Sequence, residues 1–408
     1  MNKNLPMPLK GIKVVELATV VAAPVAGRML CSYGAELVKV ESLNGDDLRH
    51  AGSFEGVVCE GDKNPLFTVP NSGKKLVSIN LKSEEGMEAM MKLLSDADVF
   101  LTNVRKGGLK RLGLDYETLS EKFPQLIYAH FSGYGPNGPS ATNPGFDTTA
   151  FWLRSGPMAD WQVPGYFPFN PSYAFGDMAT SSVLLSGILM AIIGREQTGK
   201  GTLVNTSLFA SGIWCNSISV VSNQEQFDGK RSLDPMRPAD PFSQYYLCKD
   251  GRWIGIFDNE YHREREKFAA LFNLPELLTD PRYETLESLK ESDAICEVVG
   301  KLNELFRTKD SSEWRAFLIE NSVSCEVMRC ARDVRSDPQA IENHYVEKVS
   351  YRDGLDVMMP CPPIHFSDYT RRAYKPAGVI GNDTQEVFRN MGYSDEEIEK
   401  MYENNIIK

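Results

Sequence analysis

No metal-binding spacing runs through this 408-residue chain. Its eight cysteines (Cys31, Cys59, Cys215, Cys248, Cys296, Cys325, Cys330 and Cys361) form no C-x-x-C pair, and five histidines add no zinc-like pattern. The cysteines read instead as buried free thiols of a reducing compartment. No G-x-G-x-x-G follows the first strand, which removes the usual dinucleotide fingerprint. No G-x-S-x-G elbow is present to support serine-hydrolase chemistry. Positive charge is scarce too. A net charge of −11 repels nucleic acid and anionic membranes, so an anionic ligand needs a local basic island. The most apolar run, Val183 to Ile193, falls short of the roughly 18 residues that span a bilayer and predicts a buried helix. The N-terminal MNKNLPMPLKGIKVVELA has no apolar h-region or cleavage site, which predicts a cytoplasmic protein. No internal repeat or low-complexity tract appears.

What remains is the composition of an ordinary globular protein, 42% hydrophobic and 24% charged, long enough for one large domain and one smaller one. Ile12 to Leu17 and Ala35 to Glu41 read as strands separated by an apolar, helix-compatible stretch, Val25 to Tyr33. Further strands are expected near Val77 to Leu81, Val99 to Thr102, Leu126 to Phe131 and Val204 to Ser207, with helices at Glu84 to Ser95 and about Met178 to Gln197. This alternation predicts an α/β fold: a Rossmann-like, doubly wound parallel sheet without the dinucleotide fingerprint. Ligands of such sheets bind beyond the carboxyl ends of the strands. The Gly-, Pro- and aromatic-rich segment Pro139 to Tyr173 reads as substrate-site loop. The domain reading is 1–224 for the first part of the large domain, a linker over 225–241, a small α+β domain over 242–328, and 329–408 as return linker and closing part of the large domain.

Asp177, in Phe175-Gly176-Asp177-Met178, stands at the start of the apolar helix. There the free N–H groups and the helix dipole favour its ionised form, the form a nucleophile needs, although the same carboxylate could be an ordinary N-cap. Gly176 leaves room beside it for a bulky group. Two basic islands could bind phosphate or could be solvated charge: Asn71-Ser72-Gly73-Lys74-Lys75, and Asn103-Val104-Arg105-Lys106 with Lys110 and Arg111. Gly133, Tyr134 and Gly135, in Ser132 to Pro139, suit either a mobile loop or consecutive turns. His130 reads as a satisfied core histidine. Phe146, Phe151, Trp152, Trp161, Tyr166, Phe167, Phe169 and Tyr173 could line an apolar acyl pocket or fill the core.

Taken in order, Gly11-Ile12-Lys13-Val14-Val15-Glu16-Leu17, Gly34 to Glu41, Asn103-Val104-Arg105, Ser132-Gly133-Tyr134-Gly135, Pro144-Gly145-Phe146-Asp147, Gly176-Asp177 and Thr198-Gly199-Lys200-Gly201 closely resemble the family III CoA-transferases of the CaiB/BaiF type. The resemblance extends to Asn390-Met391-Gly392-Tyr393 and so covers essentially the whole chain. It implies a large Rossmann-like domain built from both chain ends, a small inserted domain, and an interlocked homodimer. It places the catalytic aspartate on Asp177 and coenzyme A contacts on Val21, Ala22, Asn71, Lys74, Asn103, Arg105 and Arg111. Gly133, Tyr134, Gly135 and Gly176 fall in the substrate loop.

The implied reaction moves CoA from an acyl-CoA donor to a free carboxylic acid through aspartyl anhydride and aspartyl-CoA intermediates. It needs neither ATP nor metal, and coenzyme A enters as substrate rather than as a resident cofactor. Within the family the chain looks most like the transferases acting on 2-hydroxy acids such as phenyllactate or 2-hydroxyisocaproate. Those relatives commonly carry histidine where Met178 follows Asp177, and formyl/oxalyl, carnitine-type and succinyl donors stay open. Two other readings are a racemase of the same family, disfavoured because Phe146 replaces the racemases' histidine, and a catalytically silent CoA-binding scaffold.

Overall fold

The computed structural model describes residues 5–408 apart from 53–55, 58, 60–62, 164, 228, 230–232 and 259. Six strands, β1 (Lys13–Leu17), β2 (Glu36–Glu41), β3 (Lys75–Ser78), β4 (Val99–Thr102), β5 (Ile127–Ser132) and β6 (Leu203–Ser207), form one sheet in the order β3-β2-β1-β4-β5-β6. Every pairing within it is parallel. The helices are α1 (Ala22–Ser32), α2 (Pro65–Asn71), α3 (Glu84–Ser95), α4 (Lys106–Leu112), α5 (Tyr116–Lys122), the single turn α6 (Pro157–Asp160) and α7 (Phe175–Thr198). The short helices α2, α4 and α5 escape a periodicity search because two turns carry too few apolar repeats. Local chemistry nevertheless starts several helices: Asn64, Ser83 and Asp115 each accept a hydrogen bond from a first-turn N–H.

The sheet is covered on both faces. One face, with Val15, Val40, Val77, Phe100 and Tyr128, packs against Ala89, Met90 and Leu93 of α3 and against Val387, Phe388, Ile398 and Met401 of the C-terminal helices Thr384–Asn390 and Asp395–Glu403. The C-terminus thus returns to the N-terminal sheet, and the Asn80 N–H donates to Ile406 O at 2.8 Å. The opposite face lies under α1, all of whose residues are buried.

Beneath α1 the sheet carries buried charge alongside hydrocarbon such as Leu37. Glu16 of β1 stands opposite Lys39 of β2 in the parallel register. Lys39 Nζ lies 3.1 Å from Glu16 Oε1 and 3.0 Å from Asp46 Oδ2, with all three side chains wholly buried. Lys74 Nζ completes the group, 2.9 and 2.7 Å from the two Glu16 oxygens. Two ammoniums and two carboxylates balance. α1 crosses so closely that a Cβ on Gly27 would collide with Glu16 Oε2.

The chain divides into two compact units, one of residues 1–157, 170–217 and 338–408 and the other of 158–169 and 218–337. The second unit contains the 225–241 stretch, except for positions outside the described residues, and also the short 158–169 segment. Its antiparallel strands β7 (Ser243–Leu247), β8 (Trp253–Phe257) and β9 (Cys325–Val327) pack on helices Tyr261–Leu271, Ala294–Phe306 and Ser311–Glu320. Its core is aromatic, with Phe242 stacked on Phe268 at 4.0 Å and Tyr246 on Phe306 at 4.8 Å between centroids. Strands Val346–Ser350 and Asp356–Pro360 pair as a separate antiparallel hairpin.

Two expectations need correction. All eight cysteines are free, but only Cys31 and Cys248 are buried, while Cys215 and Cys330 are exposed. The apolar stretch Val183 to Ile193 is buried on one face only: Leu184, Leu185, Ile188 and Ile192 face inward, whereas Val183, Met190 and Ile193 are exposed. The 24-residue α7 is long and apolar enough, by length and composition, to cross a membrane. Its buried face holds Gly176, Asp177, Thr180 and Ser181.

Removing Glu16 would leave two buried ammoniums without their shared counter-charge. Glu16→Ala is expected to lower the unfolding free energy by about 3–5 kcal/mol, the usual cost of breaking a buried pair, read as a shift of the urea midpoint. Glu36→Ala, at the exposed start of β2, should stay within about 0.5 kcal/mol of the unmodified protein.

Candidate active site at the strand switch point

Strand order reverses between β1 and β4, and in a doubly wound sheet ligands bind in the crevice at that point. The loops after these two strands are tied together: the Thr19 N–H donates to Asn103 Oδ1 at 3.0 Å and Asn103 Nδ2 donates to Thr19 O at 2.7 Å. Val20 follows with φ +67°, a left-handed conformation that costs a β-branched residue about 1–3 kcal/mol and tends to occur at functional turns. Val21 and Ala22 are buried at the start of α1. Arg105, Lys106, Lys110 and Arg111 project exposed on and before α4, and Lys106 Nζ reaches Pro136 O of the glycine loop at 3.4 Å. The second basic island therefore lies at the carboxyl edge and is open to an anion.

The first island is different. Asn71 and Lys74 are buried, and the Lys74 ammonium donates to Glu16, to Pro24 O at 2.7 Å and to Asn71 Oδ1 at 2.9 Å. Burial lowers its pKa to about 8, with Glu16 opposing the shift. An ammonium has three protons, and all of them are engaged inside the protein. Lys74 and Asn71 thus support the sheet, with their polar groups turned to partners inside the protein where the sequence expectation had them reach a phosphate.

α7 begins at Phe175, after Ala174 at φ +57°. Asp177 is therefore the third residue of the first turn and not the cap. The cap comes from a distance: Asp147 Oδ2 accepts the Asp177 N–H at 2.8 Å, and the Gly176 N–H and Trp152 also bond to the Asp147 carboxylate. Asp147 itself starts a π-helical turn, Asp147–Leu153, preceded by the Phe146 N–H donating to Thr149 Oγ1 at 3.0 Å. Asp177 is 8% exposed. Burial, with the Asp147 charge adding to it, pushes its pKa up to about 7. The expectation that the helix terminus keeps Asp177 ionised fails, because those N–H groups bond to Asp147 and desolvation prevails. Gly176 is also explained differently: a Cβ there would enter the Phe151 ring, so the glycine admits a core aromatic instead of opening space for an acyl group.

The glycine loop is anchored at its base. The Phe209 N–H donates to Gly133 O at 3.0 Å and the Gly135 N–H to Ser132 Oγ at 3.1 Å. A Cβ on Gly133 would lie 2.7 Å from the Gly145 Cα, so the loop touches the segment carrying Asp147 backbone to backbone. Tyr134 packs between Phe209, at 6.4 Å, and the Arg154 guanidinium, 5.0 Å from its centroid. His130 is satisfied, its Nε2 3.1 Å from Val104 O, and burial lowers its pKa and keeps it neutral.

The aromatic set divides by position. Phe151 and Trp152 are core, whereas Phe146 (63% exposed), Tyr173, Phe175 and Met178 are open to solvent along the segments carrying Asp147 and Asp177. Trp161, Tyr166, Phe167 and Phe169 belong to the second unit. The sequence places Asp147 within a motif but marks no role for it, because nothing local signals a cap donated from 30 residues away. No group of three or more metal-ligating side chains occurs among the described residues.

Comparison with known proteins gives a consistent picture. The sequence profile of CoA-transferase family III matches residues 9–384. The (R)-2-hydroxy-4-methylpentanoate CoA-transferase of Clostridioides difficile is 35% identical over 98% of this chain and 100% of its own length. The cinnamoyl-CoA:phenyllactate CoA-transferase of Clostridium sporogenes is 33% identical, covering 98% and 97%. Among solved structures, a CAIB/BAIF family protein from Brucella suis superposes with a TM-score of 0.82 at 28% identity, covering 95% of this chain and 100% of that one.

The carboxylate pair predicts a pH signature. A folded-state pKa raised above the unfolded value means the folded state binds the extra proton. The stability contributed by protonated Asp177 is complete below about pH 4 and is lost as pH rises through about 7. Asp177→Asn should therefore exceed the unmodified protein in unfolding free energy by about 1–4 kcal/mol at pH 8 and match it at pH 3.5, measured by thermal unfolding across pH. Asp147→Asn keeps a carbonyl acceptor for the Asp177 N–H but removes the like charge. It should move that loss of stability to lower pH.

Proposed function

The chain belongs to CoA-transferase family III and is a CoA-transferase, and on that premise we propose that Asp177 is its nucleophile and an apolar 2-hydroxy acid its acceptor. The observation that carries the reading is the desolvated carboxylate of Asp177, whose pKa is raised to about 7 with Asp147 behind it. A carboxylate stripped of water and facing a like charge is more basic and less stabilised than one in solution. Covalent capture by an acyl group removes that charge and relieves both penalties.

The bonds follow in order. The Asp177 carboxylate adds to the donor thioester carbonyl and expels CoA thiolate, giving an acyl-aspartyl anhydride. The thiolate then attacks the aspartyl carbonyl, releasing the donor acid as its carboxylate and leaving aspartyl-CoA thioester. The acceptor carboxylate attacks this thioester, forming a second anhydride and regenerating thiolate. Attack of the thiolate on the acceptor's carbonyl yields the new acyl-CoA and frees Asp177. One thioester is exchanged for another, so no external energy source enters.

Within this scheme Val21, Ala22, Asn103, Arg105 and Arg111 hold the donor: the first turn and Asn103 at the switch point, and the exposed arginines on its phosphates. The loop of Gly133, Tyr134 and Gly135 excludes water from the anhydride. Phe146, Phe175 and Met178 offer apolar surface for the acceptor's side chain, in keeping with the hydroxy-acid substrates named for the two bacterial relatives. CoA is a substrate here, and no permanent cofactor is part of the scheme. Exposed Met190, Ile193 and Trp214 (74% exposed) supply apolar surface for a second copy of the chain, and the reading includes an interlocked homodimer. Eight free cysteines suit the cytoplasm.

Intact-mass analysis after incubation with a panel of acyl-CoAs provides the test. The expected product is an adduct of CoA mass on the peptide containing Asp177, absent in Asp177→Ala, together with a loss of kcat of at least about 10³-fold. An adduct on another residue, or exchange that survives Asp177→Ala, would overturn the assignment. With 2-hydroxy acids as acceptors, those carrying branched or aromatic side chains should give higher kcat/KM than glycolate.

A further inference from the structure

The turn between β1 and α1 is held by side chains to an unusual degree. Ala18 O accepts from Lys39 Nζ at 2.5 Å. Both the N–H and the carbonyl of Thr19 are bonded by Asn103. The Val20 N–H donates to Asp46 Oδ1 at 3.2 Å, and Pro24 O accepts from Lys74. These partners arrive from β2, from the loop after it, from the loop before β3 and from the loop after β4. Asp46 is the one that grips the strained residue.

Asp46 is itself immobilised. Its Oδ2 lies 3.0 Å from Lys39 Nζ, and its Oδ1 also accepts the Leu48 N–H at 3.0 Å. Its own N–H donates to Glu41 Oε1 at 3.0 Å, and Glu41 is clasped by Arg49 at 2.8 and 2.7 Å. On the other side of the turn Val20 and Val21 pack in a small apolar cluster with Leu48, Phe67 and Ala174, the residue that precedes α7. The turn is therefore fixed between a charged layer below and an apolar one that reaches the start of the helix bearing Asp177. Buried ion pairs are an inefficient source of stability compared with hydrocarbon of the same volume, whereas they can specify one backbone geometry.

We propose that Asp46 is a positioning residue: anchored by Lys39, it latches Val20 in its left-handed conformation and so sets the β1–α1 turn in the shape that receives the CoA donor. The link to the donor rests on the function proposed above, while the latch itself stands on the geometry alone. Asp46 touches no substrate. It acts through Val20 on Val21 and Ala22.

The experiment combines Asp46→Ala, Val20→Gly and the double variant, each checked for folding by circular dichroism. Amide hydrogen exchange reads the latch directly, and steady-state kinetics with donor and acceptor varied separately reads its use. Asp46→Ala should speed exchange of the 18–24 peptide at least tenfold and raise the KM for the acyl-CoA donor about tenfold, with the KM for the acceptor acid changing less than threefold. Glycine adopts positive φ without steric penalty, so Val20→Gly in the Asp46→Ala background should recover most of the donor KM. A merely structural role predicts the reverse, since the double variant also loses the valine's apolar contacts. If Asp46→Ala does not fold, Asp46→Asn replaces it. It retains an oxygen for the Val20 N–H and should keep the donor KM within about threefold and the 18–24 exchange near the unmodified rate. Unchanged exchange in Asp46→Ala, or fast exchange and a raised donor KM in Asp46→Asn, overturns the latch whatever the protein does with CoA. Loosened amides with an unchanged donor KM overturn the link to the donor. Absence of CoA exchange in the unmodified protein would instead refute the proposed function, and hydrogen exchange would still decide whether the latch exists.

Discussion

Desolvation of Asp177 is the constraint to which the surrounding structure is fitted. A carboxylate in the first turn of a long helix would ordinarily be solvated and stabilised by free N–H groups. Here Asp147 takes the N–H of Asp177 and bonds that of Gly176, and Phe151 fills the space a side chain at Gly176 would need. The Asp177 carboxylate is left nearly out of reach of water, with its own N–H and that of Gly176 engaged by Asp147. Much else follows: the glycine at 176, the left-handed Ala174 that launches the helix, and the π-helical turn that brings Asp147 into reach. Burial, with the Asp147 charge adding to it, keeps the Asp177 carboxylate more basic than one in solution.

The sheet places this helix where it is useful. Its strand order puts the reversal between β1 and β4, so the β1 turn, the Asn103 loop and the basic face of α4 converge on one edge. A protein of net −11 can attract a polyanionic donor only where cations are gathered locally. Arg105, Lys106, Lys110 and Arg111 form such a place, and Lys106 connects it to the glycine loop.

How much of this is legible in the sequence differs residue by residue. The parallel α/β architecture is readable because its strands are continuous apolar runs between amphipathic or apolar helices. Asp177 is readable as a carboxylate at a helix start. Its ionisation is not, because burial in the fold decides it, and the charge that adds to that burial, Asp147, is 30 residues distant with no periodic signature. Lys74 misleads because a Gly-Lys-Lys turn looks the same whether the ammonium points into solvent or under a helix. A signal does exist: Glu16 interrupts Val14-Val15 and Leu17, and Lys39 interrupts Val38 and Val40. Charges on strands otherwise apolar on both faces imply buried partners. The short 158–169 segment of the second unit lies inside the Gly-, Pro- and aromatic-rich stretch 139–173, whose composition does not mark it off from its neighbours.

The charged pair on β1 and β2 also governs assembly. In a sheet of near-uniform valine and leucine, neighbouring parallel strands could slide by a residue with little loss of hydrocarbon contact. Glu16 stands opposite Lys39, and a slip of one position would turn one of them to the other face, against α3 and the C-terminal helices, with no counter-ion there. The pair is thus a registration mark. It makes the misaligned sheet far costlier than the aligned one, and it fixes the alignment of the two strands before any ligand arrives.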